Sequence, residues 1–258
     1  MTVLLNDLAA HVDKLLHVRD TPDYPNAING VQVAHSGPIT RLATAVDASE
    51  LAIRRAVASG ANLLLVHHGL FWSGLQPIAG HQYERIRLLF DHDVALYSVH
   101  LPLDAHGEFG NSRLLAAELS LPVTDGFAHY QGVACGVQGS SDTPTRELVA
   151  RVARFSATHG GNAVASAFDA DRQTRRWAIC SGAGAGGATL DEATALGIDT
   201  LIVGEGPHWT AVDAPERGLV IIYAGHYATE TLGVTALGEH LSTKFDLPHQ
   251  FIAAPTGL

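Results

Sequence analysis

Histidines and carboxylates recur in this sequence where apolar segments end. The apolar run of residues 63–66 stops at His67-His68, and a second apolar run stops at His100, four residues before Asp104. A third run is followed by His226, which stands four residues before Glu230. Imidazole and carboxylate groups without a thiolate suit divalent Fe, Mn, Zn, Co or Ni. The spacing therefore predicts a transition-metal site with the ligands His67, His68, Asp104, His226 and Glu230.

Glu230 carries much of this prediction. It begins an i, i+4, i+7, i+11 stripe with Val234, Leu237 and Leu241, which predicts a core-facing carboxylate on a helix. A buried carboxylate must be paired, protonated or bound to a metal, and no Lys or Arg follows until Lys244. Metal binding is the interpretation we favour over hydrogen-bonded packing of these side chains.

The number of candidate ligands favours two ions over one. Five ligands exceed the need of a single open catalytic site, and adjacent histidines such as His67 and His68 diverge in direction. A carboxylate such as Glu230 would bridge the ions. Two divalent ions about 3.5–4 Å apart generate a hydroxide near neutral pH, which indicates hydrolysis. For His100 three roles stay open: a sixth ligand, a general acid or base, or a hydrogen-bond donor to Asp104.

Short apolar strands alternate with helices of about ten residues, which predicts an α/β fold with mostly parallel sheets and crossover helices. Residues 41–47, 63–68 and 94–99 are predicted strands, and either Asp47 or Ser49 caps the helix after the first of them. The histidines then lie at strand carboxyl ends, where ligands collect in such sheets.

The composition changes near residue 126, where Gly, Ala and Ser become more frequent and a new set of strands begins. We therefore predict two interlinked α/β domains. Residues 1–125 and 210–258 would form the metal-binding domain, and residues 126–209 a second, smaller domain.

Charge and hydropathy exclude several classes of protein. A net charge of −10 with only 16 Lys and Arg argues against a nucleic-acid surface. No apolar run approaches the ~20 residues that span a bilayer, and the first residues lack the features of a signal peptide. We expect a cytoplasmic protein without membrane contacts, in which Cys135 and Cys180 are reduced and buried in strands.

Four segments carry a resemblance to a known family: Leu65-Val66-His67-His68-Gly69-Leu70-Phe71-Trp72, His100-Leu101-Pro102-Leu103-Asp104, Gly204-Glu205 with His208, and Gly225-His226-Tyr227-Ala228-Thr229-Glu230. In this order they resemble the NGG-interacting-factor-like dinuclear-metal-centre proteins, which include the GTP cyclohydrolase 1 type 2 homologues. The residues 27–32 and Val203 depart from the usual family pattern, and neither is a predicted ligand.

The resemblance implies a homohexameric ring with metal sites that face an internal cavity. It also implies that Glu230 bridges the two ions, with His68 and Asp104 on one and His67 and His226 on the other. The reaction it implies is ring-opening or amide-type hydrolysis of a nucleotide-like small molecule. It places Glu205 and His208 near the metal pocket, so we predict catalytic roles for Glu205, His208 and His100.

Two other functions remain open from the sequence. A non-catalytic metal-binding or regulatory oligomer would use the same ligands with no position left for water. Residues 182–187 fit Gly-x-Gly-x-x-Gly, which is formally a dinucleotide-binding pattern. Only 71 residues follow this pattern, too few for a full dinucleotide domain, so we interpret it as a tight turn or a contact to a substrate phosphate.

Overall fold

The computed structural model describes residues 3–258, and the chain forms two compact units. Unit 1 consists of the described part of Met1–His106 together with Gly233–Ala254, and unit 2 of Gly107–Leu232 together with Pro255–Leu258. The chain thus passes from unit 1 into unit 2, returns to unit 1 for residues 233–254, and ends in unit 2. Among the described residues, no helix is both long and apolar enough to cross a membrane.

The described chain contains strands and helices in alternation. The strands are β1 (Val3–Leu4), β2 (Gly30–Val33), β3 (Pro38–Ile39), β4 (Leu42–Asp47), β5 (Leu63–His68), β6 (Ala95–Ser98), β7 (Val123–Tyr130), β8 (Val133–Pro144), β9 (Val164–Ala165), β10 (Gln173–Cys180), β11 (Thr200–Val203), β12 (Val220–Tyr223) and β13 (His249–Phe251). The helices are α1 (Leu5–Leu15), α2 (Glu50–Ala58), α3 (Gly80–Asp91), α4 (Leu101–Asp104), α5 (Asn111–Glu118), α6 (Thr145–Thr158), α7 (Gly187–Ala195), α8 (His208–Glu216), α9 (His226–Thr229) and α10 (Thr231–Phe245).

Unit 1 is built on a five-stranded sheet with the order β13-β4-β5-β6-β2. The pairings β13–β4, β4–β5 and β5–β6 are parallel, and β2 is antiparallel to β6. The residues of β4 are buried except Asp47, and those of β5 except His68, so both faces of these strands are covered. His67 and His68 are therefore the last two residues of a central parallel strand, as the sequence predicts.

Unit 2 contains a six-stranded mixed sheet with the order β7-β8-β10-β11-β12-β9. Strands β10, β11 and β12 are parallel, and the other pairings are antiparallel. Alternate residues of β10 enter different hydrophobic clusters, since Trp177 and Ile179 pack on one side and Ala178 on the other. The side chains of these two clusters therefore cover both faces of the sheet.

The α/β architecture with crossover helices is confirmed. The parallel strands predominate in unit 1, but unit 2 contains an antiparallel hairpin of β7 and β8 that the sequence did not predict as a hairpin. Its turn has positive φ at both Gln131 (48°) and Gly132 (88°), the backbone of a tight hairpin turn. Cys135 is buried in β8, as predicted. Cys180 ends β10 as a strand residue, but it is only half-buried, so the prediction that it is buried is wrong.

The unit boundaries differ from the domain boundaries predicted from the sequence. Residues 107–125 and 210–232 belong to unit 2 because β7 pairs with β8 and β12 pairs with β11 in the second sheet. These pairings join segments far apart in the chain, and a change in composition near residue 126 does not report them.

Candidate metal-binding residues

Unit 1 brings together His67, His68, His100 and Asp104, which we call the first cluster. One ring nitrogen from each of the three histidines lies within 4.8 Å of the others. His67 and His68 end β5, and His100 follows the neighbouring strand β6, so the carboxyl ends of adjacent parallel strands deliver all three imidazoles. Asp104 lies one helical turn after His100, at the end of α4.

The Nδ1 atoms of His67 and His68 each face an oxygen acceptor. The Nδ1 of His67 donates to the backbone carbonyl of Val99 at 3.0 Å, and the Nδ1 of His68 donates to Oδ1 of Asp47 at 2.9 Å. A carbonyl oxygen can only accept, so Nδ1 of His67 carries the hydrogen of this bond, and Nε2 is the ring nitrogen that a metal ion could bind. That Nε2 lies 3.4 Å from Oδ2 of Asp104, and both side chains are buried.

His100 is held by a loop that the sequence did not assign to the site. Its Nδ1 lies 2.8 Å from Oδ1 of Asp23, and its backbone N–H donates to Oδ1 of Asn29 at 2.8 Å. Asp23 also accepts from the Asn29 amide and from the backbone N–H of Leu101, the first residue of α4. Burial acts to raise the pKa of Asp23, but the hydrogen bond from His100 and its charge, together with the Asn29 bond, lower it overall.

Aromatic side chains surround His100 within unit 1. The Trp72 ring meets His100 edge-on at 4.6 Å between centroids and meets His68 at 5.5 Å. The Tyr24 ring lies 6.0 Å from His100 and is exposed. Phe71, the neighbour of Trp72, packs instead against the hydrophobic core of unit 1. Two aromatic rings, Trp72 and Tyr24, therefore lie beside the first cluster, and the Tyr24 ring is exposed to solvent.

Unit 2 contains a second set of the predicted residues, Glu205, His226 and Glu230, which we call the second cluster. The Nδ1 of His226 lies 2.8 Å from Oε1 of Glu205, and its Nε2 lies 3.1 Å from Oε2 of Glu230. Glu205 follows β11 and His226 follows β12, so adjacent parallel strands again position the side chains. Glu230 is 3% exposed, which confirms that this carboxylate is buried.

The backbone around Glu230 differs from the single helix that the sequence predicts. His226–Thr229 forms the short helix α9, Glu230 caps it at φ −110°, and α10 begins at Thr231. His226 and Glu230 nevertheless meet, since one helical turn separates them. Val234, Leu237 and Leu241 on α10 are fully buried, as the stripe predicts.

The pKa of the His226 imidazole lies above its usual range. Burial disfavours its charged form, but the hydrogen bonds and charges of Glu230 and Glu205 outweigh burial and raise the pKa of His226 to about 9. At neutral pH the proton-bound ring therefore neutralises part of the charge of two carboxylates. A divalent cation in place of that proton would serve the same purpose.

The remaining predicted residue, His208, is the exposed first residue of α8 in unit 2. Trp209 beside it is also exposed. Among residues 3–258 no contact of His208 supports the predicted catalytic role, which stays a prediction.

Two of the carboxylates that hold the histidines, Asp23 and Asp47, were absent from the predicted site. Asp47 had been assigned as a possible helix cap, but Ser49 caps α2 by accepting from the N–H of Ala52, and Asp47 bonds His68. A signal existed for Asp47, because it ends the parallel strand β4 next to β5 and pairs in register with His68. Asp23 lies in a loop without periodicity, so no sequence pattern indicates its contact to His100.

The donor sets of both clusters fit divalent transition-metal ions. Histidine ligands of metal sites almost always donate their second ring nitrogen to a carboxylate or a backbone carbonyl. His67, His68 and His226 have this arrangement on Nδ1, and the Nε2 atoms of His67 and His226 face carboxylates. Oxygen and imidazole nitrogen donors without thiolates match Fe, Mn, Zn, Co or Ni.

Comparison with known proteins gives the family. A family model described as Duf34/NIF3 (NGG1p interacting factor 3) matches residues 3–256. The chain belongs to this family. Two of the similar curated proteins are each called "GTP cyclohydrolase 1 type 2 homolog". The one from Deinococcus radiodurans is 39% identical over 91% of this chain and 88% of its own, and the one from Halobacterium salinarum is 38% identical over 98% and 99%.

Solved structures of proteins with similar sequences share the fold. A structure described as protein ybgI of unknown function has a TM-score of 0.88 and 33% identity over 100% of both chains. TTHA1606 from Thermus thermophilus has a TM-score of 0.83 and 35% identity, also over 100% of both chains. These comparisons confirm the family resemblance and the fold predicted from the sequence.

Proposed function

We propose that this protein is a dinuclear-metal-dependent hydrolase. The residues that would hold its two divalent transition-metal ions (Fe, Zn, Mn, Co or Ni) are His67, His68, Asp104, His226 and Glu230. The observation that supports this most directly is the shared arrangement of His67, His68 and His226, whose Nδ1 atoms all bond oxygen acceptors.

Bound ions would supply a hydroxide near neutral pH and polarise a substrate oxygen. The protein's own contribution includes proton transfer. In this proposal Asp23 fixes the orientation of His100, whose Nδ1 it binds, so that the other ring nitrogen is available to accept or donate a proton. Glu205 has the corresponding position on His226, which makes it a positioning carboxylate in this mechanism.

The substrate we propose is a nucleotide-like small molecule that undergoes ring-opening or amide-type hydrolysis. The name of the curated relatives supports this class. Tyr24 supports it too, since its exposed ring lies beside His100 and offers a flat surface for a heterocycle. We further propose that the protein acts in the cytoplasm as a homohexamer.

Metal analysis and a hydrolysis assay together test this function. Wild-type protein purified without added metal should contain about two transition-metal ions per chain and should open the ring of GTP or a related nucleotide. His67→Ala and Glu230→Ala should each lose bound metal and lower the rate at least ~100-fold. His81→Ala is the matched control, since His81 is exposed on α3, and should keep both properties. Metal-free wild type, or full metal in both variants, would contradict the proposal.

The alternative function is a non-catalytic metal-binding or regulatory protein. The burial of His67, Asp104 and Glu230 favours it, because ligands with little exposure are typical of closed structural sites. The side chains of His68 and His226 are 16% and 27% exposed, which leaves an approach for a substrate or water. A metal-loaded protein whose ions exchange no water ligand and that hydrolyses no nucleotide would establish the alternative.

A further inference from the structure

The carboxyl ends of three neighbouring strands in unit 2 converge on Glu230. Gly182 follows β10, Gly204 follows β11, and α9 follows β12. The Gly182 backbone is fixed from two sides: its N–H donates to Oγ1 of Thr229 at 3.0 Å, and its carbonyl accepts from the N–H of Glu205 at 2.8 Å. Gly182 therefore sits between the segments that carry the second cluster.

Gly182 is in direct contact with the Glu230 carboxylate. A Cβ atom at residue 182 would overlap Oε1 of Glu230 and would lie 3.3 Å from Nε2 of His226. The φ of Gly182 is +64°, in the left-handed region that favours glycine. The first glycine of the Gly-x-Gly-x-x-Gly pattern thus leaves room for a carboxylate of the same chain.

Gly204 and Thr229 complete this packing. A Cβ at residue 204 would lie 2.5 Å from the Gly182 carbonyl oxygen and 2.7 Å from Oγ1 of Thr229. Thr229 is fully buried, and its hydroxyl donates to the backbone carbonyl of His226 at 2.9 Å while it accepts from Gly182. The Thr229 hydroxyl therefore links the glycine-rich turn to the backbone that carries His226 and Glu230.

We propose that Gly182 and Thr229 are positioning residues that set the Glu230 carboxylate against His226, and that the glycine-rich turn serves this purpose. The consequence for metal binding rests on the proposed function, because Glu230 is a metal ligand only there. The positioning itself is a statement about the protein without metal, and it can be measured separately.

Gly182→Ala tests the proposal, and the chain offers a closely matched control. Gly197 also has a φ of +64°, but its nearest neighbour to an added Cβ is the end of the Arg176 side chain at 3.9 Å. The two variants share the backbone strain at φ +64°, so Gly197→Ala measures the loss of Tm from strain alone, and Gly182→Ala should lower Tm further because its Cβ overlaps Glu230. Only Gly182→Ala should displace the Glu230 carboxylate from His226 in crystal structures of the metal-free protein. Gly186→Ala, in the same turn with open space, should leave it in place.

The metal readout uses calorimetric titration of chelator-treated protein with Zn²⁺ and with Mn²⁺. Gly182→Ala should weaken binding about tenfold or more, while Gly197→Ala keeps the wild-type affinity. Thr229→Val, which lacks the hydroxyl, should weaken binding as well, and Thr229→Ser should restore it. These threonine variants decide the question if Gly182→Ala does not fold.

An undisplaced carboxylate in Gly182→Ala, or equal effects of Gly182→Ala and Gly197→Ala, would overturn the positioning role. Wild-type protein that binds neither metal would instead overturn the proposed function. In that case the crystal structures of the metal-free variants still decide whether Gly182 positions Glu230.

Discussion

At the scale of single residues, the histidines are oriented by hydrogen-bond acceptors from other segments. The Nδ1 atom of each of four imidazoles lies 2.8–3.0 Å from an oxygen acceptor; the acceptors belong to Val99, Asp47, Asp23 and Glu205. Such bonds fix the ring orientation and the tautomer before any ion binds, which reduces the ordering that ligand binding requires. The affinity of the proposed site therefore depends on residues that are not themselves ligands.

Asp47→Ala isolates this effect at His68. The substitution removes the acceptor of Nδ1 and leaves the imidazole in place, so metal affinity should fall about 10–100-fold. Asp91→Ala is the control, because the Asp91 carboxylate is exposed on α3 and lies 3.6 Å from Arg87. The measurement is competitive metal titration against a chelator. Equal affinities of Asp47→Ala and Asp91→Ala would show that the Asp47 bond has no influence.

At the scale of elements, a histidine pair joins α1 to the part of α10 that belongs to unit 1. The Nε2 atoms of His11 and His240 lie 3.0 Å apart, and their ring planes differ by 6°. One Nε2 must donate to the other, so only one of these two nitrogens can carry a proton in the bond. If both were protonated, the second N–H would have no acceptor here and the two rings would carry like charge. Burial is the largest cause that lowers the pKa of His11, and the charges of His240, Lys244 and Lys14 lower this pKa further.

This pair predicts how stability changes with pH. The unfolded chain binds the His11 proton more readily than the folded chain, so its contribution to stability rises with pH and is lost as pH falls below about 6.5. His249, whose pKa is lowered by burial, acts in the same direction. Tm measured from pH 5 to pH 7.5 should rise less steeply in His11→Gln than in wild type.

His92→Gln serves as the control for the pH experiment. His92 is exposed at the end of α3, so its substitution should leave the slope of Tm against pH unchanged. If Tm rises with pH as steeply in His11→Gln as in wild type, the His11–His240 pair does not lower the proton affinity of His11.

At the scale of the whole molecule, charge and exposed apolar surface bear on association. The chain has a net charge of −10, which opposes binding to nucleic-acid phosphates. Leu75, Ile78, Tyr83 and Phe90 are large apolar side chains of unit 1 that are exposed in the single chain. Exposed apolar surface of this kind is typical of protein–protein contacts. These four side chains are available for a contact between copies in the proposed homo-oligomer.

The proposed hexamer predicts a definite mass in solution. Six chains of 27.2 kDa have a mass of about 163 kDa (six times 27.2). Light scattering coupled to size-exclusion chromatography should give this mass at micromolar protein concentration, in the presence and absence of a chelator if the ions are not structural. A mass near that of one chain would refute the hexamer, and dissociation by the chelator alone would favour the structural-metal alternative.

The amino-acid sequence by itself determined the features that depend on neighbours in the chain. The apolar run before His67-His68 predicted a buried parallel strand and its end, because burial on both faces requires continuous apolar residues. The four-residue spacing from His226 to Glu230 predicted side chains one helical turn apart, whereas the short helix α4 between His100 and Asp104 was not predicted. Motifs of this kind also sufficed for the family resemblance.

Only the tertiary structure decided which distant segments meet. Asp23 contacts His100 across 77 residues, and His11 contacts His240 across 229. Gly182, in the turn after β10, lies against Glu230, between α9 and α10. The hairpin of β7 and β8 and the unit boundaries likewise follow from strand pairing. The physical reason is that periodicity and spacing record the local conformation of a segment, whereas pairing and register depend on the packing of the whole unit.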